Sequence, residues 1–281
     1  MISMFAGLLI FISSFFGELS GSVGKKQVQK KNEDIYTLGF LNSFWVSIFF
    51  LITIIFGADF RFNFASLPTF LPRLFLEIIL AHIMVLGIIK AERSSFAYLR
   101  LITIPLVLII EIALGNSIDS YQILGIILMF AGLFLLLFRN TKSRAGFWPV
   151  AIGAVVAAIT LSLFKYNITY FNSVAAEQFI ITSAIVMYFF IASKFKSKPI
   201  NLSLLVEPKT CLQSISSGLE TMLVSFAFYF APTSIITVLK RTTAMFWSLI
   251  FGRKYFKEKG LFIKVISGSL IAIGLLCILI T

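Results

Sequence analysis

The stretch APTSIITVLKRTTAMFWSLIFGRKYFKEKG, residues 231–260, decides how this sequence folds. It begins at a short Ala231-Pro232 turn, continues as an apolar segment that carries Lys240-Arg241, and ends in a basic cluster. An apolar segment of this length with a basic end is typical of a transmembrane helix. The stretch therefore predicts a membrane-spanning helix with two basic residues inside it.

A related stretch, AERSSFAYLRLITIPLVLIIEIALG, lies 140 residues earlier, at 91–115. Arg100 stands where Lys240 stands in the later copy, and the boundaries of the apolar runs keep nearly the same offset along the whole chain. The identical residues are Ala91, Ser94, Leu99, Thr103 and Ile110, which recur as Ala231, Ser234, Leu239, Thr243 and Ile250. The sequence thus predicts two repeats, 1–140 and 141–281. With five spans in each, the second repeat is inverted relative to the first.

The composition indicates a membrane protein. Hydrophobic residues make up 59% of the chain and charged residues 13%, whereas soluble proteins average about 45–50% and about 25%. A span needs roughly 20 apolar residues, and ten such runs are present. They are approximately 3–23, 37–56, 69–89, 94–114, 121–138, 147–166, 175–192, 211–230, 233–251 and 261–280. We therefore predict an all-α polytopic membrane protein with ten transmembrane helices in two inverted five-helix repeats.

The 24 basic residues predict the orientation of these helices. Most of them follow the odd-numbered runs, as in the clusters at 25–31 and 253–259. Because basic loops remain in the cytoplasm, we expect both termini to lie outside. The expected location is the inner or plasma membrane of a bacterial or archaeal cell.

At the sequence level the chain resembles the EamA-like branch of the drug/metabolite transporter superfamily. The resemblance rests on TSIITVLKRTTAMFWSLIFGRKYFKEK, on GLFIKVISGSLIAIGLLCIL, and on LITIPLVLIIEIALGNSIDSYQILGIILMFAGLFLLL in the first half. Members often have a proline within spans four and nine and a Gly-Glu after them. Pro105 and Glu258 match this pattern, whereas Met245 and Asn116 do not. The resemblance implies a ten-helix carrier with a central cavity, and it favours export.

Ionisable residues within spans are costly, so they generally face a cavity or one another. Arg100 and Lys240 occupy equivalent repeat positions and would form an anion clamp, unless Arg241 and Glu220 simply neutralise each other. Glu77 and Glu220 lie on equivalent helices, where they would share a cavity and carry a coupling proton, or would each bond a neighbouring helix. Lys165 and Glu177 lie near helix ends and are expected to reach water. The candidate substrate-binding residues are Lys240, Arg241, Arg100, Glu77, Glu220, His82, Trp247 and Tyr98.

The predicted function is a secondary transporter, with export the expected direction, of a small polar or amphiphilic metabolite or drug by alternating access. A carrier or flippase for lipid-linked substrates is the alternative. The expected partners are a small-molecule substrate and the lipid bilayer, with no nucleic acid, and a proton is the expected coupling ion, with no other cofactor. No metal site is expected at Cys211 or Cys277, and no enzyme is expected because HExxH, GxSxG and phosphate-loop motifs are lacking.

The charge distribution gives a prediction for the C-terminus. A reporter that is active only in the cytoplasm, fused after Thr281, should stay silent because both termini are expected outside. The same reporter fused within 193–209 serves as the positive control. A bright C-terminal fusion would reverse the predicted orientation.

Overall fold

A computed structural model describes residues 2–30, 34–57, 59–113, 120–139, 146–196, 200, 202–258 and 261–279. Within these ranges the chain forms eleven α-helices and no β-strand, which confirms the all-α prediction. The ends of two predicted runs, Leu114 and Ile280, and the motif residue Asn116 lie outside the described residues. The helices are α1 (Ile2–Gln29), α2 (Ile35–Ile55), α3 (Leu67–Lys90), α4 (Arg93–Leu99), α5 (Thr103–Ala113), α6 (Ser120–Arg139), α7 (Phe147–Tyr170), α8 (Val174–Lys196), α9 (Pro208–Ala227), α10 (Thr233–Phe256) and α11 (Leu261–Leu279).

Seven helical segments of the described chain are long and apolar enough to cross a membrane. They are α1, α2, α3, the α4–α5 pair, α7, α8 and α10. Shorter apolar stretches occur in α6 and α11, at Ile123–Gly132 and Phe262–Gly274. Large apolar side chains point outward, with Phe75 64%, Trp148 72% and Phe262 77% exposed. Such a surface suits lipid, and the fold therefore indicates an integral membrane protein.

The run predicted at 94–114 forms two helices instead of one. A 3-10 segment, Arg100–Ile102, separates α4 from α5. Pro105 explains the break, because it has no N–H to donate to the carbonyl of Leu101 and its ring crowds that carbonyl. The interruption places Arg100 at a change of helical geometry in the middle of an apolar segment.

Helices from the first half of the chain pack mainly on helices from the second. α1 contacts α9 and α10, α2 contacts α8 and α9, α3 contacts α7, and α6 contacts α11. Gly17 permits the close approach of α1 to α9, because a Cβ atom there would lie 2.4 Å from the carboxyl carbon of Glu220. The two halves are therefore interleaved, with their polar side chains turned toward the space between them.

Two lysines hold the tight turns that follow α3 and α9. The ammonium of Lys165 donates to the backbone oxygens of Phe228 at 2.6 Å and Ala231 at 3.4 Å. The ammonium of Lys25 donates to the backbone oxygen of Ala91. Lys165 therefore satisfies carbonyl groups within the protein, and it is also partly exposed, which is compatible with the predicted contact with water. Carbonyls at helix ends need such donors when water is excluded.

Candidate functional site

A cavity of about 340 Å³ lies between α2, α3, α7, α8, α9 and α10, with Arg100 also in its wall. Five of the eight predicted residues line this cavity: Lys240, Arg241, Arg100, Glu77 and Glu220. Arg73 lines it as well, so the described lining contains four basic and two acidic side chains. Five of the charged residues that sequence reasoning placed within apolar helices thus converge on one internal space.

The central contact of the cavity is an ion pair between neighbouring helices. The ammonium of Lys240 lies 2.6 Å from the Glu220 carboxylate, and the two side chains are only 11% and 25% exposed. Lys240 was the expected partner of Arg100 in an anion clamp, but its charge is balanced by Glu220 instead. The alternative, in which Arg241 neutralises Glu220, is also not the arrangement found, because the carboxylate contacts Lys240.

Two guanidinium groups of the lining have no such partner. Among the described residues, no carboxylate lies within ion-pair distance of Arg241 or Arg100. Arg241 is 5% exposed, and its Nε is buried without a hydrogen-bond acceptor among those residues. Arg100 stacks over the ring of Phe96 at 5.4 Å. Thr237, one turn before Arg241 on α10, also lines the cavity, with its hydroxyl buried and unpartnered.

Arg73 organises a second charged group in the cavity wall. Its guanidinium lies 2.7 Å from Glu177, 3.7 Å from Glu77, and 4.4 Å from the centre of the Phe164 ring. Glu177 also accepts hydrogen bonds from Asn167 and is completely buried, so the expectation that it reaches water is wrong. Sequence reasoning missed Arg73, which lies near the start of the predicted apolar run 69–89. The i,i+4 spacing of Arg73 and Glu77 within an apolar run was the available signal.

Glu77 and Glu220 line the same cavity but belong to different charged groups. Glu77 lies beside Arg73, whereas Glu220 lies beside Lys240. The two carboxylates therefore share the cavity, as one of the two predicted arrangements had it, but each lies beside a different basic side chain. Glu77 shares Arg73 with Glu177, whereas Glu220 contacts Lys240.

The other three predicted residues lie outside the cavity lining. Nδ1 of His82 is 3.0 Å from the Tyr188 hydroxyl. Trp247 packs against Phe15 with ring centres 5.0 Å apart. Tyr98 is buried and donates to the backbone oxygen of Lys264. All three side chains take part in packing between helices.

No metal centre is present in the described part of the chain, since no three His, Cys, Asp or Glu side chains there come close enough to hold an ion. Cys211 and Cys277 are both unpaired thiols. Beside its apolar surface, the described cavity offers a ligand guanidinium, ammonium, carboxylate, amide and hydroxyl groups.

A further ionic cluster, centred on Glu258 and outside the cavity lining, joins the start of α4 to the end of α10 and the start of α11. Glu258 accepts hydrogen bonds from the backbone N–H of Arg93 at 2.6 Å and from the Ser94 hydroxyl, and it lies 2.9 Å from the Lys264 ammonium. It thereby caps the N-terminus of α4, where backbone N–H groups favour a negative charge. The Arg93 side chain in turn binds Glu18 of α1 at 2.5 Å. These contacts connect α1 and α11 to the start of α4.

The environment of Glu258 shifts the pKa of its carboxyl group. Burial alone would raise that pKa, but the hydrogen bond from Ser94 and the charge of Lys264 outweigh burial and hold it below its ordinary value of 4.5. A lowered pKa in the folded state stabilises the fold above the ordinary carboxyl pKa, and this stabilisation is lost as the pH falls toward the folded-state pKa.

Comparisons with known proteins show a likeness of fold but no family. No protein-family model matches the chain, and no curated protein sequence matches it. Among solved structures, a chain described only as "Crystal structure of protein" superposes with a TM-score of 0.69 at 12% identity. The match covers 99% of this chain and 97% of the other. At that identity the likeness concerns the fold alone.

The Glu258 cluster gives a prediction for stability. Replacing Glu258 with Gln should lower the unfolding free energy by about 1–3 kcal/mol near pH 7, because the charged hydrogen bonds to α4 and Lys264 are weakened. It should also flatten the loss of stability as the pH falls from about 5 through the lowered folded-state pKa of Glu258. Thermal unfolding in detergent measures both effects.

Glu207→Gln is the matched control, because Glu207 makes no side-chain capping hydrogen bond at the start of α9. Equal changes in the two variants, or an unaltered pH dependence in Glu258→Gln, would contradict the assigned role of Glu258.

Proposed function

We propose that this chain is a secondary transporter that moves a small polar or amphiphilic solute across a membrane by alternating access. One observation supports this above the others: six charged side chains from apolar helices line a single internal cavity. Charged groups inside a bilayer are costly and are generally retained where they contact a substrate, an ion or water. A cavity between two halves of a helical protein is also where transporters bind their substrates.

We further propose ten spans, with α4 and α5 together forming the fourth, arranged as two inverted repeats at 1–140 and 141–281. The two lysine-held turns support this proposal. Lys25 binds the carbonyl of Ala91, and Lys165 binds that of Ala231, so both partners shift by 140 residues. Helix contacts follow the same offset, since the α1–α9 contact corresponds to the α3–α7 contact.

Membership in the EamA-like branch of the drug/metabolite transporter superfamily remains part of this proposal. It is supported by Pro105 in the fourth span, by Glu258 after the ninth and by the helical content of the chain, whereas Met245 and Asn116 depart from the family pattern. Glu258 is the acid of that pattern after the ninth span, and its hydrogen bonds to the start of α4 give it a clear structural reason. Export from a bacterial or archaeal cell, with both termini outside, rests on the resemblance and the basic loops.

We assign proton coupling in this proposal to Glu77. Glu220 is held at 2.6 Å by Lys240. Glu77 is 3.7 Å from Arg73, and that guanidinium is already bound more closely by Glu177 at 2.7 Å. Glu77 is therefore the lining carboxylate with the weaker ionic contact, and it is better suited to bind and release a proton during transport.

Glu77→Gln should abolish solute accumulation driven by a pH gradient in proteoliposomes, because Gln cannot carry the proton. Exchange of labelled for unlabelled solute without a gradient should persist, and a metabolite panel supplies the solutes. Asp59→Asn, at an exposed carboxylate in the loop before α3, is the control. Gradient-driven accumulation that survives in Glu77→Gln would remove the residue from the coupling mechanism.

Alternating access can be tested without knowing the solute. Ser217 of α9 lines the cavity, so Ser217→Cys in a Cys211→Ala, Cys277→Ala background should react with a membrane-impermeant maleimide. In vesicles of uniform orientation, labelling should occur whether the reagent is added inside or outside, because the cavity opens to each side in turn.

Met187→Cys is the matched control, since Met187 is 63% exposed on the outer surface of α8 and is expected to face lipid. It should resist the reagent from both sides. Reaction of Ser217→Cys from one side only, or from neither, would contradict alternating access.

A further inference from the structure

We propose that the cavity binds the carboxylate or phosphate group of its substrate through Arg100 and Arg241, so that the transported solute is an organic anion. This inference rests on the transport function proposed above and gives it a substrate class. It is carried by the arrangement of charges in the cavity wall, where Lys240 and Arg73 have carboxylate partners and the two other basic residues are left facing the same space.

The first step concerns Lys240, which does not serve as the anion-binding group. Its ammonium is 2.6 Å from Glu220 in a poorly hydrated place. Separating that pair would leave two buried charges uncompensated, which is strongly unfavourable. An incoming anion therefore meets a neutral Lys240–Glu220 pair, and its affinity must come from other residues.

The second step concerns Arg241 and Thr237, which lie one turn apart on the cavity face of α10. Arg241 is 5% exposed, its Nε has no acceptor among the described residues, and the Thr237 hydroxyl is buried without a partner. A buried guanidinium without a counter-charge is costly. Its planar set of N–H donors matches the paired oxygens of a carboxylate or phosphate, and the Thr237 hydroxyl supplies a further donor.

The third step concerns Arg100, which enters the cavity from the 3-10 break between α4 and α5. Arg100 and Arg241 line the same cavity, and Glu220 lies in its wall as well. Glu220 is already bound to Lys240, so one carboxylate stands among three basic groups. An anion placed between Arg100 and Arg241 relieves the repulsion of these two like charges.

The balance of charges across the lining also favours an anionic ligand. Of the four basic residues in the described lining, Lys240 is balanced by Glu220, and Arg73 is balanced by Glu77 and Glu177. Arg100 and Arg241 are left without an ion pair among the described residues, and their charge disfavours a cationic ligand beside them. A volume of about 340 Å³ is within the usual range of small-molecule sites, roughly 300–1,000 Å³. Apolar residues such as Leu161 and Phe164 complete the wall and would contact the remainder of the solute.

A water-soluble anion and an anionic lipid headgroup present the same chemistry to these arginines. Binding is therefore measured on the purified full-length protein with two kinds of probe. The soluble probes are glutarate, benzoate and glycerol 3-phosphate, each compared with its neutral analogue, namely glutaramide, benzamide and glycerol. The lipid arm compares nanodiscs of phosphatidylglycerol with nanodiscs of phosphatidylcholine.

We expect at least one anion to bind, as measured by calorimetry and by a rise in the unfolding temperature, while its neutral analogue does not. Arg241→Gln and Arg100→Gln should each weaken that binding by roughly 10- to 100-fold, the loss typical of a charge-assisted contact. Arg253→Gln removes the same charge from an exposed position on α10 and should leave the affinity unchanged.

Glu220→Gln distinguishes an anion site from a cation site. It releases Lys240 as a third positive group, so an anion should bind more tightly, whereas a cation held by Glu220 would be lost. If this variant fails to fold, the Lys240→Met, Glu220→Gln double variant removes the pair as a unit and should retain anion binding. Soluble anions that fail while phosphatidylglycerol binds in an arginine-dependent manner would support the site with a lipid headgroup as the source.

The proposal is overturned if no anionic probe binds, if the affinity of every bound anion ignores both arginines, or if Glu220→Gln abolishes binding. Failure here is distinguishable from failure of the transport function. Two-sided labelling of Ser217→Cys without arginine-dependent anion binding would leave transport standing and remove the substrate class. Arginine-dependent binding with one-sided labelling would do the reverse.

Discussion

The ion pair between Lys240 and Glu220 determines what the cavity can bind. Each group alone would be a poorly hydrated charge of high energy, and together they form a 2.6 Å contact in which the two charges offset one another. The position of Glu220 also restricts residue 17 to glycine, because any side chain there would meet the Glu220 carboxylate. By balancing Lys240, the pair leaves Arg100 and Arg241 as the groups whose charge must be balanced by something else.

The remaining buried ion pairs hold the helices around this space. Arg73–Glu177 joins α3 to α8, and Arg93–Glu18 joins α4 to α1. Both are short contacts among buried groups, so they resist thermal opening as long as each partner is present. In the transport cycle proposed for this chain, the half-to-half contacts must rearrange in turn. The substrate must then provide interactions that offset the cost of separating them.

Sequence alone predicted the all-α fold and five of the residues that line the cavity, because apolar runs and charges inside them are local properties. It did not predict which charge binds which. Arg73 is buried because Glu177 lies beside it, although the two are 104 positions apart in the sequence. Tyr98 was a candidate ligand-binding residue, yet its hydroxyl is used by the backbone of Lys264. Pairings of this kind depend on helix rotation and packing, which a hydropathy pattern does not specify.

A double-mutant cycle at Lys240 and Glu220 tests the central claim most directly. The unfolding free energies of Lys240→Met, Glu220→Gln and the double variant are measured in the same detergent. The account predicts that the double variant is less destabilised than the sum of the single variants, with a coupling of about 1–3 kcal/mol. Additive effects would show that the two side chains do not interact, and the assignment of the cavity charges would be wrong.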